Sequence, residues 1–227
     1  MRFLLALFLA FFASPATPAQ TTISLLTEDG ATVFADLYGK SERAIVLVHG
    51  GRFTKESWAP QARALQAAGY QVLAVDLRGF GKSHGPGDSD LFTAPHYLDV
   101  LAAVRYLHQN GAKVVSAIGG SMGGAAAGDA SIASRAGEID RVVFLGASPN
   151  GPAEKLKSAS LYIVARDDAN DDGPRLPGIR AQFEKSPEPK ELIILEGSAH
   201  AQFLFQTDQA DRVMREILRF LSQKLPR

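Results

Sequence analysis

The fold is decided by residues 114–124, which read VVSAIGGSMGG. The stretch begins with an apolar, partly β-branched run, which is typical of a buried β-strand. The small residues 125–127 that follow the glycines favour a helix. A serine between glycines on a strand-to-helix turn matches the G-x-S-x-G pattern of a nucleophile elbow, in which the hydroxyl projects clear of the sheet. The sequence therefore predicts that Ser121 is a nucleophile. The alternative is a glycine-rich turn whose serine only caps the helix.

A serine hydroxyl needs a base that takes its proton and an acid that holds the tautomer of the base. In the fold that such an elbow indicates, these groups follow one another in the chain as Ser, Asp or Glu, and His. Four of the five histidines precede Ser121, and His200 alone follows it. His200 lies in a loop of small residues after the last predicted strand, where catalytic groups gather in parallel sheets. We therefore predict that His200 is the general base; the alternative is an ordinary surface histidine.

The acid is expected in the loop at 166–173, which offers four aspartates and follows the preceding predicted strand. The same loop matches the opening of an EF-hand calcium loop, with Asp168, Asn170, Asp172 and Gly173 in register. Position 12 of that motif requires a bidentate glutamate, and Ile179 occupies it here. The sequence therefore predicts no metal site in this loop.

The N-terminal 19 residues are typical of a secretory signal peptide. Arg2 precedes an apolar run at 3–12, and small residues lead to an expected cleavage after Ala19. Ten apolar residues are too few to cross a bilayer, which takes about 20. We therefore expect a signal peptide at 1–19, one catalytic domain at 20–227, and a periplasmic or secreted protein. An uncleaved membrane anchor is the alternative.

The composition excludes several classes of partner and chemistry. The chain has 24 basic and 24 acidic residues, so its charge favours binding neither to nucleic acid nor to an anionic membrane. It has no cysteine, which removes disulfides, thiolate metal sites and thiol nucleophiles. We predict no cofactor and no metal.

Apolar runs that alternate with helical patterns predict an α/β fold, with a mostly parallel sheet covered by helices on both faces. An Asp-Gly turn between 22–26 and 33–38 indicates an opening hairpin. The remaining strands are predicted at 44–48, 72–75, 114–118, 141–145, 161–165 and 192–195, and helices at 58–68, at 95–110, after the elbow and at about 210–221.

Four features together resemble the α/β-hydrolase superfamily from about Ile23 to the C-terminus. They are glycine-flanked Ser121, His200 after the last strand, His49-Gly50 after the first buried strand, and Asp76-x-Arg78-Gly79-x-Gly81-x-Ser83. The resemblance implies Asp168 as the acid, because the acid in that family usually stands three positions beyond the small residue that closes its strand, here Ala165. It also implies an oxyanion hole of backbone N–H groups from Met122 and from Gly51 or Arg52. We expect His49 and Arg78 to support turns.

Members of this superfamily often carry a helical cap before the strand that leads to the acid. Here that segment, 147–160, is too short for one. The chain therefore resembles the dienelactone-hydrolase-like and carboxylesterase branches, which implies an open site and a small-molecule ester substrate. Thioester or amide hydrolysis would use the same residues. The alternatives are an acyltransferase and a non-catalytic binding protein on the same fold, and the sequence does not indicate the oligomeric state.

Overall fold

The computed structural model describes residues 20–224. The signal peptide predicted at 1–19 lies outside the described residues. The described chain forms ten strands and five α-helices. The strands are β1 (Thr21–Leu26), β2 (Thr32–Tyr38), β3 (Arg43–Val48), β4 (Gln71–Val75), β5 (Val114–Gly120), β6 (Arg141–Leu145), β7 (Ala159–Ala165), β8 (Ala169–Asn170), β9 (Gly173–Pro174) and β10 (Lys190–Leu195). The helices are α1 (Ala59–Ala67), α2 (His96–Gln109), α3 (Met122–Ala133), α4 (Leu176–Lys185) and α5 (Ala210–Ser222).

Eight strands form one sheet in the order β1-β2-β4-β3-β5-β6-β7-β10, and β8 and β9 form a separate hairpin. β1 and β2 form the predicted hairpin and β2 is antiparallel to β4, whereas the strands from β4 to β10 in this order are parallel. Helices cover both faces, with α2 and α3 on one and α1 and α5 on the other. The predicted fold class is confirmed.

The central strands are apolar at every position because both of their faces are covered. Along β3, Val46 and Val48 face the α2–α3 side, while Ile45 and Leu47 face the α1–α5 side. All four side chains are fully buried, and each such burial contributes about 1.5–3 kcal/mol. The sheet is thus held between two apolar cores, one on each face. The polar residues of the site lie at the ends of its parallel strands.

The sequence did not predict β8, β9 or α4. The loop at 166–175 is polar and contains glycine and proline, so it has no apolar period that would indicate regular structure. Only Ile179 of α4 is buried, which leaves this helix with a weak pattern. β10 begins at Lys190, two residues before the predicted start at 192. The sequence did not indicate this earlier start because Lys190 and Glu191 are polar and only half-buried.

Between β6 and β7 the chain forms a short 3₁₀ turn at Ala153–Lys155 and no α-helix. Elsewhere in residues 20–224, no helix is both long enough and apolar enough to span a lipid bilayer.

Candidate active site

Ser121 stands between β5 and α3 in a backbone conformation that non-glycine residues rarely adopt, with φ 51° and ψ −119°. The neighbouring glycines allow this turn. A Cβ on Gly119 would lie 2.3 Å from the carbonyl oxygen of Gly123, and a Cβ on Gly123 would lie 2.4 Å from the carbonyl oxygens of Val48 and His49. A side chain at Gly119 would therefore push α3 away from β5, and a side chain at Gly123 would push α3 away from the end of β3.

Asp168 and His200 meet at the edge where two neighbouring strands end. β7 and β10 are parallel with Ala165 opposite Leu195, so the loops that follow them start side by side. Nδ1 of His200 lies 2.8 Å from Oδ2 of Asp168, within hydrogen-bond distance. Asp168 is fully buried, whereas Asp167 is exposed and makes its backbone contact with Gly197. The structure thus brings His200 to Asp168 and not to Asp167.

Gly146 connects this pair to the elbow. It follows β6 with φ 57°, and a Cβ there would lie 2.9 Å from both Asp168 Oδ2 and His200 Nδ1. The backbone N–H of Ser121 donates to the carbonyl of Leu145, the residue before Gly146, at 3.0 Å. Sequence reasoning did not select Gly146, although a glycine directly after a buried strand is a signal of close approach.

We expect Gly146→Ala to lower kcat/KM of any reaction at this site by about 10²-fold, because a displacement of about 1 Å at a reacting group costs that much. Gly137→Ala is the matched control: Gly137 also has a positive φ, of 76°, but nothing lies within 4 Å of its added Cβ. It would carry the same backbone strain without the clash. Steady-state kinetics of the two variants check this, and a Gly146→Ala enzyme as active as the Gly137→Ala enzyme would contradict it.

The N–H groups expected to form an oxyanion hole belong to two segments that lie against each other, the start of α3 and the turn after β3. Met122 is the first residue of α3, so its N–H has no acceptor within that helix. Gly51 lies against the Met122 side chain, with its Cβ position 3.9 Å from the sulfur. Gly51, Ser121 and Met122 line one cavity, whereas Arg52 does not line it. Of the two alternatives from the sequence, the geometry favours Gly51.

His49 is fully buried and both of its ring nitrogens contact the backbone. Nδ1 lies 2.9 Å from the carbonyl oxygen of Gly50, and Nε2 accepts the N–H of Leu77 at 3.1 Å. Accepting at Nε2 requires the neutral ring with its proton on Nδ1. His49 therefore supports the turn that carries Gly51, as expected from the sequence.

The loop after β4 is held by buried charges. Arg78 is fully buried and donates through Nε and Nη2 to Oδ1 of Asp99, at 2.9 and 2.7 Å, and it also pairs with Asp29. Asp76 accepts the backbone N–H of Lys55 at 2.7 Å, which ties this loop to the one after β3. A Cβ on Gly81 would lie 2.3 Å from Asp76 Oδ2. These motif residues serve the architecture of the site.

Two buried histidines should make the fold sensitive to acid. Burial lowers the pKa of His49 and of His96 below the ordinary value of 6.5. The unfolded chain therefore binds protons more readily near pH 6, and stability present above about pH 6.5 is lost as the pH falls. We expect a loss of up to about 1 kcal/mol per histidine between pH 6.5 and 5.5.

Urea unfolding at several pH values measures this loss. His96→Gln should reduce the acid-dependent part, while the control His84→Gln, at an exposed histidine, should retain the wild-type dependence. Equal pH dependence in the wild type and the His96→Gln variant would contradict the interpretation.

A cavity of about 740 Å³ opens beside Ser121. Its walls come from the loop before α2, from the first half of α3, from the chain after β6, and from the β8–β9 hairpin with the start of α4. Arg175, next to α4, lines it and places Nε 3.4 Å from Oδ1 of Asp168. The lining is mixed, with apolar side chains such as Leu91 and Ile179 beside polar Asn150. Such a cavity can hold a small organic molecule against the serine.

Within the part of the chain that the structure describes, the Ser121 hydroxyl makes no hydrogen bond to His200. In the same region, no cluster of three or more His, Asp or Glu residues could hold a metal ion. The residues that match the opening of an EF-hand loop make other contacts: Asn170 pairs with Gly173 across the β8–β9 hairpin, and the Asp168 carboxylate faces His200.

Comparisons with known proteins agree with this architecture. Residues 43–190 match the family described as the alpha/beta hydrolase fold. A superfamily protein from Bacillus subtilis is 28% identical over 145 residues, which are 64% of this chain and 52% of that protein. A bifunctional esterase/perhydrolase from Acinetobacter calcoaceticus is 30% identical over 151 residues, 65% of this chain and 48% of that protein. A Pyrococcus furiosus esterase has the same fold, with TM-score 0.73 and 20% identity over 89% of this chain and 92% of that chain.

The chain therefore belongs to the α/β-hydrolase family. It spans about half the length of the Bacillus and Acinetobacter relatives named above.

Proposed function

We propose that this protein is an exported serine hydrolase that cleaves small carboxylic esters. The observation that carries the proposal is the Asp168–His200 contact of 2.8 Å beside the elbow that presents Ser121 to a cavity. The names of the relatives support it, since the Acinetobacter protein is an esterase/perhydrolase and the Pyrococcus protein is an esterase.

In the proposed first step, Nε2 of His200 takes the proton of the Ser121 hydroxyl while the serine oxygen attacks the ester carbonyl. The developing oxyanion accepts hydrogen bonds from the N–H groups of Met122 and Gly51, and each such donor contributes about 3 kcal/mol. The C–O bond then breaks, and the alcohol leaves with the proton from His200. This step forms an acyl-enzyme.

In the second step, His200 takes a proton from water, and the resulting hydroxide attacks the acyl carbonyl. The collapse of this second intermediate returns the proton to Ser121 and releases the acid. Asp168 holds His200 with its Nδ1 proton towards the carboxylate and offsets the charge of the imidazolium. Because only the neutral ring accepts a proton, kcat/KM should fall in acid.

Two experiments test this proposal. A fluorophosphonate probe should label the purified protein, and p-nitrophenyl esters of graded chain length should identify the acyl group that the cavity accepts. Acyl transfer is the alternative activity, since an alcohol can replace water in the second step. Adding alcohol acceptors and analysing the products separates the two, and no labelling and no ester turnover would refute the proposal.

Export is supported by the sequence at 1–19 alone. We expect mature protein in the periplasm or medium to begin near Gln20, as N-terminal sequencing would show. Membrane-bound protein that retains Met1 would indicate an anchor instead.

A further inference from the structure

We propose that Gln202 is a positioning residue that fixes the oxyanion hole to the loop of the catalytic histidine. This inference rests on the proposed function. Gln202 stands two residues after His200 and is only 5% exposed. It neither lines the cavity nor belongs to any motif in the sequence, so its burial requires another explanation.

The two ends of the Gln202 amide hold two points of the loop after β3. Its Oε1 accepts the backbone N–H of Gly50 at 2.7 Å, and its Nε2 donates to Oγ of Ser57 at 2.6 Å. The Ser57 hydroxyl in turn donates a hydrogen bond to the carbonyl of Thr54, also at 2.6 Å. One buried side chain therefore spans the whole turn that contains Gly51.

The direction of the Gly51 N–H follows from the neighbouring peptide. In a planar trans peptide, the Gly50 carbonyl and the Gly51 N–H point in opposite directions. That carbonyl accepts the N–H of Phe53 at 3.0 Å and faces Nδ1 of His49 at 2.9 Å. On the other side of the same residue, Gln202 accepts the backbone N–H of Gly50. With both peptides around Gly50 fixed, the Gly51 N–H is aimed before any substrate arrives.

Packing joins the same two segments. After His200 the chain forms a 3₁₀ turn at Ala201–Gln206, whose first residue has φ 53°. From this turn Phe203 packs against Phe53 with ring centroids 5.1 Å apart and planes tilted by 57°, and Phe205 packs edge-on against Trp58 at 5.8 Å. The loop of the base and the loop of the oxyanion donor therefore form one packed unit. Gln202 supplies the polar contacts of this unit.

Losing these contacts should affect the transition state more than the ground state. The oxyanion forms only during the reaction, so a misaligned donor lowers kcat and leaves KM almost unchanged. Removal of one donor in a known oxyanion hole costs about 10²–10³ in kcat, and misalignment should cost less. For Gln202→Met, which keeps the size of the side chain without its amide, we expect kcat to fall about 10- to 100-fold.

The experiment compares Gln202→Met, Gln202→Glu and the control Gln209→Met. Gln209 also contacts the loop that leads to His200, but its amide donates to the carbonyl of Glu196 at the surface. Active sites are counted by end-point fluorophosphonate titration, so kcat refers to folded enzyme alone. The affinity of a trifluoromethyl ketone, which forms an oxyanion on the serine, is measured for each variant.

We expect Gln202→Met to lose kcat and trifluoromethyl ketone affinity by the same factor, with KM within about threefold of the wild type. Gln202→Glu, which keeps an acceptor for Gly50, should retain more of both, and Gln209→Met should match the wild type. If Gln202→Met keeps the wild-type kcat per titrated site, this inference is wrong, while the proposed function stands. The same holds if Gln202→Met loses kcat without losing affinity for the ketone. A wild-type protein that neither reacts with the probe nor turns over esters would overturn the proposed function, and this inference with it.

Discussion

Replacement of Ser121 by alanine should abolish labelling by a fluorophosphonate probe and lower kcat for p-nitrophenyl esters by about 10⁶-fold, as loss of the nucleophile does in a well-studied serine hydrolase. Ser121 is the residue whose strained backbone aims a hydroxyl at the cavity. Alanine also fits this φ poorly, so a change in stability is measured alongside by thermal unfolding.

Ser148→Ala is the matched control, because Ser148 lines the same cavity from the chain after β6. It should label and turn over like the wild type within about threefold. Persistent labelling of the Ser121→Ala variant would remove Ser121 from the mechanism and direct attention to another hydroxyl.

Replacement of Asp168 by asparagine should lower kcat by about 10⁴-fold, as the same change does in a known triad with its geometry kept. An asparagine in this position can offer its N–H to His200, which leaves the imidazole in the wrong tautomer. It also removes the charge that offsets the imidazolium.

Asp167→Asn is the control, since Asp167 is adjacent in sequence, equal in chemistry and exposed. We expect it to change kcat by less than about tenfold. The difference between the two variants then corresponds to about 4 kcal/mol in the activation barrier. A larger loss in Asp167→Asn than in Asp168→Asn, measured by steady-state kinetics, would contradict the assignment of the acid.

The sequence predicted the strands of the sheet because each strand carries a local signal in its own residues. The short, β-branched apolar runs of β3 to β7 indicate buried strands, and glycine spacing around Ser121 reflects a close contact between backbones. Selection of His200 needed only the chain order that this fold imposes. Asp168 came from a family resemblance, because four aspartates in one polar loop are indistinguishable by composition.

The contacts that the sequence did not reveal join distant segments. Gln202 and Gly50 are 152 positions apart, and nothing in either local pattern indicates their hydrogen bond. The choice between Gly51 and Arg52 as a donor depends on which peptide faces the cavity, which is a property of the folded turn. The hairpin β8–β9 and α4 escaped prediction because they bury too little apolar surface to leave a period.

The most direct test of the mechanism is to trap the acyl-enzyme. Wild-type protein is mixed with p-nitrophenyl acetate, quenched in acid within the first turnover, digested and analysed by mass spectrometry. The account predicts a burst of one p-nitrophenolate per titrated site, with the mass of one acetyl group on the peptide that contains Ser121. Steady ester turnover with no acetyl group on that peptide at any quench time, together with no fluorophosphonate label on the same peptide, would contradict it.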